Sequence, residues 1–412
     1  MTRPGSGTYT AVKPGATVAA DVSWQTLALG SRAGLGAELE RLVEAPPPEV
    51  IPLSSGFLDE RLQPLGLLAA ATARAARRPQ GWNRLPAQGL PELRAHFAAE
   101  AGASFTAANV LVTTGGQAAL SAVFRHLGAP GEPVIVESPT YVGALAAARA
   151  AGLVLVPVPG DAQGVLPDAL EDALDRTGAR LAYLQPRFSN PAGVVLAPQR
   201  RGPLLEAIAR HGAFLVEDDW MRDFDLGPPT PPPLASADEH GHVIYLRSLS
   251  KPIAPGLRVA GLVARGPVLA RLRHGRLSDD LFVAPVLQQA ALDVLTAPGW
   301  SRHLGSLRRA LRERRAALVG AIGRFLPGCV VPPTPPGGVH LWLRLPDGCQ
   351  DTSVAEAAAA RDLLVSPGRE YFAGEPPGEF LRLSYAAADP PALLRAAEIL
   401  AEIVGAGAPV TG

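Results

Sequence analysis

Cysteine and lysine are the residue types that this sequence most nearly lacks. Cys329 and Cys349 are the only cysteines in 412 residues, which excludes a disulfide scaffold and a thiolate metal cluster. The 38 basic and 38 acidic side chains balance, so the chain lacks the positive excess that nucleic acid or an anionic membrane requires. No apolar run has the length of a membrane span or a signal-peptide core. We therefore expect a globular, cytoplasmic protein that binds neither nucleic acid nor membrane.

The shortage of lysine singles out one residue. Lys13 and Lys251 are the only lysines, and all other basic residues among the 38 are arginines. High-GC codon usage accounts for much arginine, but arginine stays protonated, whereas lysine can lose its proton and form an imine. Because Lys13 lies in a start rich in Gly and Pro, Lys251 is the lysine to explain.

Short apolar runs alternate with Ala-, Leu- and Arg-rich helical stretches through the first two thirds of the chain. The runs are continuous, which is typical of strands covered on both faces, and the alternation predicts βαβ units with a mostly parallel sheet. The predicted strands are 110–112, 134–136, 153–156, 181–184, 214–216 and 243–246. Active residues are then expected at the carboxyl ends of these strands.

The last hundred residues show a different pattern. Long helices are predicted over 288–295 and 304–325, and alternating, half-exposed strands over 339–345 and 380–385. A further helical pattern covers Leu35 to Val43 and is stopped by prolines. We expect an N-terminal segment (1–60) packing on a small C-terminal α+β domain (311–412), with a large α/β domain (61–310) between them.

Polar residues follow the predicted strands. Gly115, Gly116 and Gln117 precede a helix, where free amides suit a phosphate, although taken alone they are better explained by a plain strand–helix turn. Asp218 heads an acidic pair that a solvated loop would also explain. The stretch from Ser248 to Arg258 is more specific, because two hydroxyls, an isolated lysine and an arginine combine imine chemistry with anion binding.

The ordered set of these residues resembles a known superfamily. Gly-Gly-Gln at 115–117, Tyr141, Asn190-Pro-x-Gly, Asp218, Ser-x-Ser-Lys at 248–251 and Arg258 are similar to the pyridoxal-phosphate (PLP) enzymes of the fold-type-I aminotransferase superfamily. More narrowly, they resemble the class I/II subgroup with 2-aminoadipate-type aminotransferases and the effector domains of MocR regulators. The resemblance covers roughly residues 50–410 and includes 53–59, 86–94, 337–342, 367–374 and 380–384. It implies a seven-stranded, mostly parallel sheet between helices, and a homodimer with shared active sites.

The resemblance also implies a role for each matching residue. Lys251 would hold PLP as an internal aldimine and then move the Cα proton. Asp218 would pair with the pyridinium nitrogen, and Tyr141 would stack on the ring. Asn190 would bind the 3-oxygen beside the substrate, and Arg382 would bind the substrate α-carboxylate. The phosphate would be bound by Gly115, Gly116, Gln117, Ser248, Ser250 and Arg258.

The sequence departs from the family pattern at two places. Trp220 and Met221 stand where the family carries a tyrosine whose phenol touches the 3-oxygen, which puts an ordinary transamination cycle in doubt. Arg84 stands where relatives have a tyrosine that reaches the neighbouring subunit's phosphate, and it can serve that phosphate or an acidic substrate. If Arg187 and Arg369 also face the pocket rather than solvent, the substrate carries a second anionic or strongly polar group.

His340 can be read as a base, but its alternating strand favours a structural histidine, and no spacing suggests a metal site.

The leading function is transamination of an α-amino acid. The alternative keeps the fold and PLP but predicts decarboxylation, β-elimination or decarboxylation-coupled oxidative deamination of an amino-acid-derived, for example S-cysteinyl, intermediate in antibiotic biosynthesis. A DNA-binding regulator is disfavoured, because residues 1–50 are too short and too uncharged for a DNA-binding domain.

Overall fold

The structure is a computed structural model that describes residues 22–29, 45–331 and 334–407. The pattern at 35–43 lies outside these residues. The helices are α1 Trp24–Leu29, α2 Leu65–Arg77, α3 Pro91–Ala101, α4 Gly116–Leu127, α5 Val142–Ala150, α6 Pro167–Thr177, α7 Pro198–Arg210, α8 Pro267–Asp279, α9 Pro285–Leu295, α10 Trp300–Phe325, α11 Asp351–Ala359 and α12 Pro390–Gly407. The strands are β1 Ile51–Pro52, β2 Val110–Thr113, β3 Pro133–Ser138, β4 Val154–Asp161, β5 Gly164–Val165, β6 Leu181–Leu184, β7 Phe214–Asp218, β8 Val243–Ser248, β9 Ala260–Val263, β10 His340–Arg344, β11 Leu363–Leu364, β12 Ser366–Pro367 and β13 Phe380–Ser384.

The large sheet contains eight strands in the order β2-β9-β8-β7-β6-β3-β4-β5. The six predicted runs form β2, β3, β4, β6, β7 and β8, whose carboxyl ends lie at one edge of the sheet. Strand β9 runs antiparallel to both β2 and β8, and the two-residue β5 runs antiparallel to β4. The fold class is therefore confirmed, with a mixed sheet of seven strands and a short eighth.

Strand β9 was missed from the sequence because it is short and contains Gly261. A Cβ at Gly261 would lie 2.6 Å from the ring of Phe97, so the close approach of helix α3 requires glycine there. The glycine in this strand is therefore explained by its contact with Phe97 of helix α3, and the strand lacks the run of β-branched residues that would have predicted it.

Helices cover both faces of the large sheet, as the continuous apolar runs predict. Along β3, Ile135 packs into the cluster with helices α2, α3, α6, α7 and α9, whereas Val134 and Val136 pack into the cluster with α4, α5 and α8. Successive side chains point to opposite faces, so the four central residues of β3 are buried whichever way they point. Strand β4 differs, because most of its residues are exposed, and the prediction that the run at 153–156 is covered on both faces is wrong.

The C-terminal part has its own core. Strands β10, β13 and β12 form an antiparallel sheet, and helices α10 and α12 pack against each other in the same cluster as Leu341 and Leu383. The segment before α2 also contacts this part, because β1 pairs with β11 and Asp59 accepts a hydrogen bond from Arg314 at 2.8 Å. The boundaries at residues 60 and 310 stay predictions. No helix within the described ranges is long and apolar enough to cross a membrane.

Candidate active site

The predicted site residues lie where the parallel strands end. Asp218 is the last residue of β7, Ser248 is the last residue of β8, and Gly116 begins helix α4 shortly after β2. Asn190 follows β6, and Arg382 lies on β13 of the small sheet. The hydrogen bond from Arg382 Nη1 to Asn190 Oδ1, 3.1 Å long and buried, joins the two parts of the chain at this edge.

The start of helix α4 forms an anion cradle. Gly115 caps the helix with a φ of 88°, a conformation that favours glycine. The amides of the first helical turn have no carbonyl partner within the helix and carry the positive end of the helix dipole. A Cβ at Gly115 would lie 2.7 Å from Arg258 Nη2, so the missing side chain also makes room for the guanidinium.

Arg258 and two serines complete the cradle. Arg258 Nη1 lies 3.5 Å from Ser250 Oγ, Nη2 donates to the carbonyl of Thr114 at 3.3 Å, and Ser248 Oγ accepts from the amide of Ser250 at 3.3 Å. Across the described residues, no carboxylate lies within ion-pair distance of Arg258. Its positive charge is therefore available for a phosphate.

Asp218 is buried and held through one of its two oxygens. Its Oδ2 accepts hydrogen bonds from the Tyr183 hydroxyl at 2.8 Å and from Gln185 Nε2 at 3.0 Å. Burial raises the pKa of Asp218 to about 6, partly offset by these hydrogen bonds and by the charge of Lys251. A buried carboxylate of this kind is stabilised by a cationic partner such as a protonated ring nitrogen.

The neighbouring Asp219 has different surroundings. Its Oδ2 accepts from Tyr245 at 2.8 Å and lies 3.4 Å from both Arg187 and Arg222. Because consecutive strand-end residues point in opposite directions, only Asp218 shares a charge interaction with Lys251. The two adjacent acids thus differ in function, the second being neutralised by arginines.

Gln185 links Asp218 to Asn190. While its Nε2 donates to Asp218, its Oε1 accepts the backbone amide of Asn190 at 2.9 Å. Its own amide donates to Glu137 at 2.8 Å, and burial raises the pKa of Glu137 to about 8. Tyr183 and Gln185 were missed from the sequence, because Tyr183 lies inside the apolar run 181–184, Gln185 directly follows it, and only the tertiary structure brings them to Asp218.

Lys251, the predicted cofactor-binding residue, lies within the site. Burial, together with the positive charges of Arg382 and Arg258, lowers the pKa of Lys251 to about 7 against the opposing effect of Asp218. No carboxylate among the residues described lies within 4 Å of its Nζ, so the amine is not held as half of an ion pair. Near neutral pH, an unprotonated lysine can attack an aldehyde.

Tyr141 lies at the start of α5, near the anion cradle. Its hydroxyl donates to Gln117 Oε1 at 3.1 Å, and Gln117 Nε2 donates to the carbonyl of Gly143 at 2.7 Å. Burial raises the pKa of Tyr141 to about 12, so the phenol stays protonated. The two contacts fix the position of the ring.

Arg382 is buried and keeps one unused donor. Its guanidinium donates to Asn190, to the carbonyl of Ser54 and to Ser366 Oγ, and lies 5.0 Å from the centre of the Tyr371 ring. Its Nε is buried without a hydrogen-bond partner. An unpaired donor on a buried cation is costly, and a substrate carboxylate would satisfy it.

Two aromatic side chains lie close to the Lys251 amine. The Phe57 ring centre lies 3.6 Å from Lys251 Nζ, and that of Trp220 lies 5.8 Å away. Trp220 stacks on His340 with ring centroids 5.6 Å apart and 24° between the planes. Phe57 follows Gly56, and a Cβ at Gly56 would lie 3.2 Å from Lys251 Nζ. Residues 53–59 were noted in the sequence as part of the family resemblance, but their spacing did not indicate that Phe57 and Gly56 lie against Lys251.

Trp220 and Met221, which stand at the position of the family tyrosine, do not replace the hydrogen bond expected from its phenol. Trp220 Nε1 donates to the carbonyl of Phe188 at 3.2 Å, so its single donor is used away from Asn190. Met221 is fully buried in the core of the small part.

The other three arginines considered in the sequence analysis do not contact the site residues within the described part of the chain. Arg187 is buried between Asp219 and the carbonyl of Pro231, and Arg369 contacts Asp351 at 2.7 Å and Glu379 at 3.3 Å. Arg84 is an exposed side chain in the loop before α3. Its predicted role depends on a second subunit and stays a prediction.

The arrangement fits PLP. The cradle of α4 and Arg258 suits a phosphate, Lys251 an aldehyde, Asp218 a protonated ring nitrogen, and the unpaired Arg382 Nε an amino-acid carboxylate. No group of three or more His, Cys, Asp or Glu side chains that could hold a metal occurs in the described part of the chain.

Comparison with known proteins places the chain in a family. The profile described as "Aminotransferase class I and II" matches residues 48–400. A 2-aminoadipate transaminase from Thermus thermophilus is 36% identical over 358 residues, covering 85% of this chain and 89% of that protein. An uncharacterized HTH-type transcriptional regulator of Escherichia coli, YdcR, is 31% identical over 346 residues, covering 82% of this chain and 74% of that protein.

A solved structure agrees with the sequence comparison. The crystal structure of an α-aminoadipate aminotransferase from Thermus thermophilus, complexed with N-(5'-phosphopyridoxyl)-L-leucine, is 31% identical with a TM-score of 0.84, covering 93% of this chain and 99% of that chain. The predicted superfamily, fold type and cofactor are thereby confirmed. The chain belongs to the class I and II aminotransferases, a family of PLP-dependent transferases.

Proposed function

We propose that this protein transfers the amino group of an α-amino acid, with Lys251 as the residue that binds the cofactor and moves the substrate proton. The observation that carries the proposal is the convergence of Lys251, Asp218 and Arg382 at one buried edge of the sheet. Lys251 and Asp218 share a charge interaction, and Arg382 and Asn190 share a hydrogen bond.

Each residue has a task that its surroundings support. When bound, PLP supplies an electron sink that weakens the bonds at the substrate Cα. Asp218 would keep the ring nitrogen protonated. The hydrogen bonds from Tyr183 and Gln185 hold the Asp218 carboxylate in place. Arg382 would bind the α-carboxylate through its free Nε. The Lys251 amine, with its pKa lowered to about 7, would remove the proton from Cα and return it to the cofactor side.

A single-turnover experiment tests this function. The PLP-loaded protein is mixed with a panel of amino acids without an acceptor, and the cofactor and products are identified by mass spectrometry. Transamination predicts the amino form of the cofactor together with the matching 2-oxo acid. An unchanged cofactor with every amino acid would contradict the proposal.

One observation favours a second candidate reaction. The donor of Trp220 is used by Phe188, so the cofactor 3-oxygen lacks the phenol that the family supplies, and Asn190 would be its remaining partner. This favours decarboxylation, β-elimination or decarboxylation-coupled oxidative deamination of an amino-acid-derived compound, for example an S-cysteinyl intermediate in antibiotic biosynthesis. The same experiment separates the two, because release of CO₂, ammonia or a thiol without the amino cofactor would indicate the second.

We also propose that two copies share their active sites through Arg84. In support, Arg84 and the nearby Trp82, which is 71% exposed, lie on the surface of the chain, where a second copy can reach them. Light scattering should give a dimer. Mixing an Arg84→Ala variant with a Lys251→Ala variant should restore about a quarter of the sites if Arg84 acts across the interface by random pairing of subunits. A monomer, or no restoration, would contradict this proposal.

A further inference from the structure

His340 has an environment that the proposed reaction does not use. It lies on β10 and is 3% exposed, and its Nε2 has no hydrogen-bond partner. A Cβ at Gly56 would lie 3.9 Å from this Nε2 and 3.2 Å from Lys251 Nζ. The nitrogen therefore faces the same small gap as the reactive amine, next to the place where a substrate must bind.

The surroundings keep this histidine uncharged. Burial and the positive charges of Arg382 and Lys251 hold the pKa of His340 well below its usual value. A neutral imidazole can donate or accept one hydrogen bond at Nε2, depending on its tautomer. It cannot provide a counter-charge for a carboxylate at neutral pH.

The remaining walls of the gap are aromatic. Phe57 and Trp220 face Lys251, and Trp220 also stacks on the imidazole. Two of the three arginines considered for a second substrate carboxylate are occupied, Arg187 by Asp219 and Arg369 by Asp351 and Glu379. The third, Arg84, is exposed in the loop before α3 and is assigned to the partner's phosphate in the proposed dimer. A substrate side chain in this gap meets two aromatic rings and one neutral polar atom. The nearby charge of Arg382, which also acts on His340, would be taken by the α-carboxylate, so a second carboxylate there would lose its hydration without a cation of its own.

Resting on the proposed function, we propose that His340 determines specificity: its unpartnered Nε2 hydrogen-bonds a neutral polar group, such as a hydroxyl or amide, on the side chain of the amino-acid substrate. The α-carboxylate remains the task of Arg382. Amino acids with acidic side chains are then not the preferred substrates, although a similar protein is named for 2-aminoadipate.

The test compares matched amino acids on the PLP-loaded enzyme. The pairs are tyrosine with phenylalanine, and glutamine with methionine, with glutamate and 2-aminoadipate as acidic probes. Both equilibrium binding, followed by the cofactor's absorbance, and kcat/KM are measured. A site built around a hydrogen bond should prefer the polar member of at least one pair by about tenfold or more.

Two variants and a matched control sharpen the test. His340→Phe keeps the ring but removes the polar atom, and should bring that preference close to one while leaving the apolar partner nearly unchanged. His340→Gln should restore part of it. His303 offers the control, because it stacks on Trp300 with centroids 5.6 Å apart and also has an unpartnered Nε2, but it lies on α10 outside the contacts of Lys251. His303→Phe should leave the preference intact.

The outcomes separate this inference from the proposed function. Failure of every amino acid to convert the cofactor would overturn transamination, while the binding titration would still report the role of His340. Preference for an acidic probe, no preference within either pair, or an unchanged preference in His340→Phe would overturn the inference. If His340→Phe does not fold, as judged by thermal unfolding, His340→Gln decides alone. A partial loss of the preference for the polar amino acid would support the inference, and an unchanged preference would overturn it.

Discussion

The cofactor end and the substrate end of this site are built in different ways. At the cofactor end, Asp218, Tyr183 and Gln185 form a closed set of hydrogen bonds around one carboxylate. At the substrate end, aromatic rings surround Lys251, and two buried nitrogens, on Arg382 and His340, have no partner. Closed networks fix geometry before a ligand arrives, whereas unpaired buried groups favour the ligand that satisfies them. The first end should therefore tolerate little change, and the second should control selectivity.

The largest effect is expected where the two ends meet, at Lys251. Lys251→Ala removes both the amine that binds the cofactor and the group that moves the proton, so turnover should fall by about 10⁴-fold or more. Lys251→Arg, which keeps the charge but not the reactive amine, should be equally inactive. Borohydride reduction followed by peptide mass spectrometry should find the cofactor on Lys251 only in the parent protein.

Arg382→Gln should break the substrate end alone. Losing a charge-assisted contact to the α-carboxylate should raise KM about 10- to 100-fold. Cofactor affinity, measured by absorbance titration, should change much less. Equal losses for cofactor and substrate would contradict the division into two ends and show that the lost Arg382–Asn190 hydrogen bond also supports cofactor binding.

The pH dependence of cofactor capture should report the environment of Lys251. Because burial and two arginines lower its pKa to about 7, the reactive unprotonated fraction grows about tenfold per pH unit below 7 and levels off above it. Stopped-flow absorbance of the apoprotein mixed with PLP measures this rate. Asp218→Asn removes the negative charge that raises this pKa, so the plateau should begin at lower pH. A rate that keeps rising to pH 9 would disagree with the structure.

Gln185→Leu should weaken the cofactor end by a moderate amount. One of the two donors to Asp218 Oδ2 is lost, which leaves a less well held carboxylate and should cost about 5- to 20-fold in kcat. Selectivity among amino acids should stay constant. Gln185→Glu, a near isostere without the donor, places a second acid against Asp218 and should be the more damaging of the two.

The smallest effect is expected for Arg369→Gln. Arg369 is partly exposed and is bound by the buried Asp351 and by Glu379, so its loss should affect the local stability of the small part rather than substrate binding. KM for acidic and neutral amino acids should change less than about threefold. A selective loss of acidic substrates would show that Arg369 reaches the substrate end.

The difference between the two ends also explains what sequence reasoning found. Asp218, Ser248 and Lys251 end strands or follow them, so their order along the chain already predicts their meeting at one edge of a parallel sheet. Phe57, Trp220 and His340 come from three distant segments, and His340 in an alternating strand gave no signal beyond that of a core residue. Their meeting depends on how the small sheet and the segment before α2 pack against the large sheet, which local patterns do not specify.

Local patterns in the chain were sufficient for the α/β class, for eight of the strands (β2, β3, β4, β6, β7, β8, β10 and β13), for the family and for the isolated lysine, because period, residue chemistry and order can be read without knowing the fold. It took the packed fold to establish that Asp219 is neutralised while Asp218 faces Lys251, that Arg187 and Arg369 are paired, and that Gln185 supports the site. The physical reason is that burial and charge pairing act between residues far apart in the chain. The same arginine or aspartate is inert or functional according to which partners the fold brings within a few ångströms.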